Sequence, residues 1–250
     1  MDWTFDDALH DAERMAWLLA TMDSARLIDE ELHGAAIFKG KQPKARHDVE
    51  GRDALLRFAL HTALDPARAP SLSPAGLLLE FGVHKGETVT HLARVLEELR
   101  TASPQARAAL PAGLHGFDSF EGLPDDWFLG RKAGRFSLDG KLPQVPESVR
   151  LHKGWFDASL PTFLTSHPGP ALFVHADADL YSSTVTILDN LTRAGRIVAG
   201  TVIVFDEFFN YPGWRHHEYR AFKEWVAREH INFDYIGMAP CHYSVAVRIK

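Results

Sequence analysis

The side chains best able to do chemistry stand at the ends of short apolar runs. Glu80 and Gly82 close LLLEFG, Asp118 closes LHGFD, Asp177 closes ALFVHAD with Asp179 two residues on, and Asp206 closes GTVIVFD with Glu207 next to it. The remaining run, VRLHKG, ends at Gly154. Burying a carboxylate is costly unless something meets it, so acids repeated at run ends point to a shared crevice. The competing explanation is that each acid caps the helix that follows it. Asp177 and Asp206 are 29 residues apart, about one strand-helix-strand unit, so parallel strands would deliver both to the same end. Two carboxylates brought together share a proton or hold a cation, and magnesium suits such hard oxygen donors. Glu207 would face away from Asp206 in an ideal strand. It joins the pair only if the chain turns, as the following Asn210-Tyr211-Pro212-Gly213 favours.

The first of these runs continues as Glu80-Phe81-Gly82-Val83-His84-Lys85-Gly86-Glu87-Thr88. Gly82 permits a tight turn after a strand, and Gly86 lets a cofactor approach backbone N–H groups where the next helix starts. The spacing is not GxGxxG, since position 84 is His. Asp118 could accept hydrogen bonds from both hydroxyls of a ribose, which implies a nucleoside-containing cofactor. At this level dinucleotide and sulfonium cofactors both remain open. A nicotinamide fold expects its acid about 20 residues after the glycines, whereas Asp118 lies 36 residues past Gly82. The chain has 14 histidines but no zinc spacing, and HHEYR fails HExxH because position 221 is Ala. His217, or its neighbour His216, is a candidate general base at the site rim. Trp155, Phe156 and Trp214 could stack on a base or a substrate, with core packing as the alternative.

The elements that must position these groups are legible as patterns. Leu9, Ala12, Ala16, Leu19 and Ala20 recur at helical spacing, as do Leu55, Leu56, Ala59, Leu60 and Ala63. Between them, residues 34–51 mix Gly, Pro and charge without a period and read as a connector or lid. From residue 77 five apolar runs alternate with amphipathic segments, predicting five parallel strands in an α/β sheet. Val89, Leu92, Ala93 and Leu96 give one helix face, and further helices are predicted near 183–194 and 214–229. The closing stretch reads as two strands separated by Gly-Met-Ala-Pro, a hairpin that ends the sheet with an antiparallel strand. Residues 119–148, rich in Gly, Pro and charge, read as a long loop over the functional edge.

EFGVHKGET, GFDSFEGLPDDW, KGWFDASLP, HADADLYSST and GTVIVFDEFFNYPGW together resemble the class I S-adenosylmethionine-dependent methyltransferases of the macrocin O-methyltransferase type. Those enzymes act on hydroxyls of natural-product sugars and related small molecules. The resemblance implies a Rossmann-like α/β fold, a seven-stranded sheet of order 3-2-1-4-5-7-6 with the last strand antiparallel and helices on both faces. It divides the chain into an N-terminal helical extension or lid, residues 1–75, and a cofactor-binding domain, residues 76–250. By position it places Glu80, Gly82 and Gly86 around the methionine part of S-adenosyl-L-methionine and Asp118 with Ser119 on the ribose. Gly154, Trp155 and Phe156 fall near the adenine. Asp177, Asp206 and Glu207 match magnesium-binding acids, with Glu207 standing where the family carries a second Asp, and Asp177 or His217 takes the acceptor proton. A longer TRAGRIVAG segment precedes the fifth strand. A nicotinamide-dependent oxidoreductase and a non-catalytic nucleotide-binding module of the same fold are the alternatives.

Composition bounds the function from outside. With 250 residues the chain can bury a full core. Its 46% hydrophobic and 24% charged residues are ordinary for a folded domain. A net charge of −6 lacks the basic footprint of a general nucleic-acid binder. One cysteine, Cys241, rules out an intrachain disulfide and a Cys-based zinc cage. The acidic, interrupted N-terminus and the lack of a long apolar run lead us to expect a cytoplasmic protein without a membrane segment. A homodimer acting on a small-molecule hydroxyl acceptor is the expected working form.

Overall fold

The computed structural model describes residues 32, 36–37, 49–67, 73–128 and 130–250. Its strands are β1 (Ala36–Ile37), β2 (Leu77–Phe81), β3 (Leu114–Asp118), β4 (Val149–Lys153), β5 (Ala171–Ala176), β6 (Val202–Phe205), β7 (Phe233–Ala239) and β8 (Ser244–Ile249). They form one sheet in the order β1-β7-β8-β6-β5-β2-β3-β4. Counting β2 to β8 as strands one to seven gives 3-2-1-4-5-7-6, with β8 antiparallel to both β6 and β7. The predicted topology is therefore the observed one. The two-residue β1, parallel to β7 at the edge, is an addition that the sequence pattern did not signal.

Among the described residues the α-helices are α1 (Val49–Leu64), α2 (Glu87–Thr101), α3 (Pro104–Ala109), α4 (Phe156–Ser166), α5 (Tyr181–Arg193) and α6 (Glu218–Glu229). Strand alternation divides the core into two layers. Leu77, Leu79 and Phe81 of β2, with Ile203 and Phe205 of β6, pack against Leu160, Ile187, Phe222 and Trp225 of α4, α5 and α6. On the other face Leu78, Val202 and Val204 meet Leu56, Ala59 and Leu60 of α1 and Val89 and Leu92 of α2. Fully burying each such side chain contributes roughly 1.5–3 kcal/mol. The faces of α1 and α2 are those that the spacing predicts.

Several boundaries differ from the sequence reading for identifiable reasons. Helix α1 begins at Val49, so the end of the aperiodic 34–51 segment is helical; most of that segment, and the helical pattern around Leu9–Ala20, lie outside the described residues. Helix α4 has Pro161 in its interior, which hid it from a propensity reading. The terminal turn comes later than Gly237: that glycine sits inside β7, beside a register shift at Tyr235/Gly237, and the chain reverses at Pro240–His242. The described residues of 119–148 carry no helix or strand, as predicted. No described helix is long and apolar enough to cross a membrane.

Candidate active site

The strand ends deliver their acids to one place. Glu80 on β2 is in register with His175 on β5, and both project toward the α1/α2 layer. Fully buried, the His175 ring lies 3.3 Å from Glu80 Oε2 through Nδ1 and 3.7 Å from Asp206 Oδ1 through Nε2. The Thr88 hydroxyl donates to Glu80 Oε1 at 2.7 Å, and the Ser244 hydroxyl donates to Asp206 Oδ1 at 2.9 Å. Burial alone would keep His175 neutral, but the two carboxylates raise it to about 10. This row of charges ties β2, β5 and β6 together beneath the crevice.

Above it, Asp177, Asp206 and Glu207 each offer a carboxylate oxygen, all within 4.8 Å of one another. Asp177 and Glu207 are pushed well above the usual carboxylate range by burial and by the neighbouring acids, Asp206 and Asp177 foremost. Asp179 rises to about 7 for the same causes. Asp206 goes the other way: against the cost of burial, contact with His175 and the charge of Arg52 hold it down at about 2. Arg52, from α1, places Nη1 at 3.6 Å from Asp206 Oδ2.

The turn that brings Glu207 to the cluster has a visible cause. Glu218, buried in the first turn of α6, accepts the Ala178 N–H at 3.0 Å and the Glu207 N–H at 3.1 Å. One carboxylate thereby clamps the two loops that carry Asp177 and Asp206. Neither Arg52 nor Glu218 was found by sequence reasoning, because each acts on residues brought near only by folding.

The cluster opens into a cleft of about 830 Å³. Gly82, Asp118, Ser119, Trp155, Phe156, Asp177, Asp206 and Glu207 line it, all named from the sequence. Asp118 is held rigidly: its oxygens accept the N–H groups of His84 at 2.7 Å and of Phe120 at 2.6 Å. Gly82, at φ +89, is where the chain turns, and a Cβ there would sit 1.8 Å from the Asp177 carbonyl oxygen. Six named residues fall outside the lining, among them His216 and Trp214, which is buried in the core edge-on to Tyr219. Glu80 faces Thr88 and His175, because alternation along β2 turns it toward α2. Gly86 lies under Val145, whose side chain a Cβ would meet at 2.9 Å. Gly154 donates its N–H to the Asp118 carbonyl from behind. His217 stacks on Tyr211 and meets Trp127 edge-on, and these two rings, not His217, form the wall. Among the described residues, the histidines that line the cleft are His84 and His242. Arg131 and Arg135 line the cleft from the 119–148 loop, and their charges act on Asp179.

Residues 79–208, which carry the strand ends and acids around this crevice, match a family model described as a methyltransferase domain. The chain belongs to that family. It is a class I S-adenosylmethionine-dependent methyltransferase. Among solved structures, CalS11, a calicheamicin methyltransferase, is similar with a TM-score of 0.60 at 18% identity, covering 99% of this chain and 94% of that one. Apo CalS11, described as a TDP-rhamnose 3'-O-methyltransferase, gives 0.54 at 17% identity over 99% and 96%. The O-methyltransferase NovP gives 0.56 at 20% over 82% of each chain. At these identities the likeness is one of fold. No curated protein sequence matches the methyltransferase.

Proposed function

We propose that this methyltransferase moves a methyl group onto a hydroxyl oxygen of a small molecule, a natural-product sugar or similar, with assistance from magnesium. The observation that carries the reading is the single cleft in which Asp118 and the Asp177–Asp206–Glu207 cluster face the same space. When bound, S-adenosylmethionine supplies a methyl group activated on a sulfonium. The residues present fit it: a fixed carboxylate at Asp118 for ribose hydroxyls, Ser119 beside it, the Trp155 and Phe156 rings for the adenine, and a side-chain-free turn at Gly82. Glu80, Gly86 and Gly154 support this subsite from behind. Asp177, Asp206 and Glu207 also fit a hard cation, since each offers a carboxylate oxygen and these oxygens lie within 4.8 Å of one another; such an ion would polarise an acceptor hydroxyl.

No enzyme nucleophile is needed. The cleft's task is alignment, which can contribute on the order of 7–11 kcal/mol. Asp177, open to the cleft, is placed to take the acceptor proton. His217, behind Tyr211 and Trp127, is poorly placed for that role. Support for a sugar acceptor comes from CalS11, described as a TDP-rhamnose 3'-O-methyltransferase. Mass spectrometry of a panel of sugar, phenol and polyketide acceptors tests the reading: a gain of about 14 daltons is expected. Single-turnover assays with EDTA test the metal, and unchanged methylation would remove it from the mechanism.

A further inference from the structure

Arg52 enters the acid cluster from a part of the chain that the family match does not reach. It sits on α1, before residues 79–208, and its charge acts on Asp206, Asp177 and Glu207 as well as on its neighbour Asp53. Its hold is loose. An arginine built in as a permanent partner forms two parallel hydrogen bonds to a carboxylate at about 2.7–2.9 Å. Here the approach to Asp206 is 3.6 Å, and the buried Nε, 3.9 Å from Asp53 Oδ1, has no hydrogen-bond partner among the described residues. The side chain is only 16% exposed, so the guanidinium has shed most of its water without gaining that fork geometry. Across the cluster, Glu207 Oε2 is likewise buried and without a hydrogen-bond partner among the described residues.

The other cations around the cluster are differently held. His175 is fixed inside the sheet between Glu80 and Asp206, while in the loop Arg131 lies over the Trp127 and Phe128 rings and Arg135 over Phe136. Arg52 stands on a stem of three methylenes at the cleft wall, and its other acidic neighbour, Asp53 at 3.9 Å, lies on its own helix and outside the cluster, so the guanidinium can shift toward it if its place is taken. A guanidinium and a divalent ion within one group of oxygens repel each other, so occupancy by one disfavours the other.

We propose that Arg52 is a built-in counter-ion of the cluster, and that Arg52 and a divalent cation are alternative occupants of the position formed by Asp177, Asp206 and Glu207. The arginine compensates the crowded acids when no ion is bound, and its displacement lowers the affinity for the ion. This rests on the reading of those three residues as cation ligands.

The test is Mn²⁺ binding to the full chain, read by the paramagnetic resonance signal of free Mn²⁺, without cofactor or acceptor. R52M and R52Q are expected to bind at least about ten-fold tighter than wild type, a coupling of ordinary size between two sites. R52K, which keeps the charge, should stay near wild type and serves as the folded control, with near-ultraviolet circular dichroism for each variant. Adding Asp206→Asn to R52M should abolish the gain. If wild type binds Mn²⁺ and R52M and R52Q bind no tighter, the competition is refuted while the cation reading stands. If none of the proteins binds, the cation reading itself fails. A gain that survives Asp206→Asn places the ion elsewhere and overturns the proposal.

Discussion

At the scale of single residues, the two halves of the cleft should separate under mutation. Asp177→Ala is expected to cut turnover by about 10²–10⁴-fold, the usual worth of a proton-accepting group, while S-adenosylhomocysteine affinity changes only a few-fold. Steady-state kinetics beside a binding titration checks this, and a large loss of cofactor affinity with intact turnover would mean the subsites are exchanged. Gly82→Ala puts a Cβ against the Asp177 carbonyl at 1.8 Å and keeps φ at +89. A loss of about 3 kcal/mol or more is expected in denaturant unfolding. Asp118, Asp177 and Asp206 were legible because each ends an apolar run, and spacing alone sends parallel strand ends to one edge. Glu80 ends no less apolar a run, yet strand alternation turns it away from the cleft. The facing of each side chain, more than its residue type, is what a single sequence carries poorly.

At the scale of elements, α6 matters through its first turn. Glu218→Gln keeps one acceptor oxygen but sets an NH₂ group against an N–H donor, so one arm of the clamp between the Asp177 and Asp206 loops is lost. We expect about 1–3 kcal/mol of destabilisation in urea unfolding, together with reduced turnover. An unchanged midpoint with normal turnover would contradict the clamp. At the β3–β4 edge, His115 Nδ1 lies 3.0 Å from His152 Nε2. Burial, then the charges of His152 and His167, lowers His115 from 6.5 to about 4. Below pH 6.5 the unfolded chain takes up a proton that the fold resists, so stability is lost as pH falls from about 6.5 toward 4. His115→Phe should flatten that limb of a pH series of unfolding midpoints; a parallel shift of the whole curve would refute the linkage. Neither effect was legible in the sequence, since Glu218 is 40 residues from Ala178 and His115 is 37 from His152. Helices with an uninterrupted apolar face, α1 and α2, were read correctly, whereas Pro161 concealed α4.

At the scale of the whole molecule, the alternation of runs and amphipathic segments was enough to give five parallel strands and a closing antiparallel hairpin, while the order of the strands came from the family resemblance. What it could not give is the charge arrangement around the cleft: acids concentrated on the floor, Arg52 arriving from α1, and Arg131 and Arg135 arriving from the loop. A net charge of −6 thus conceals a local balance that bears on cofactor and ion alike. The central claim, that this cleft takes an S-adenosyl cofactor with its ribose on Asp118, is tested most directly by calorimetric titration with S-adenosylhomocysteine and, separately, with NADH. Wild type should bind S-adenosylhomocysteine at one site per chain, and Asp118→Ala should weaken that binding by about ten-fold or more, the loss of charge-assisted hydrogen bonds. Tight binding of NADH with none of S-adenosylhomocysteine would contradict the account.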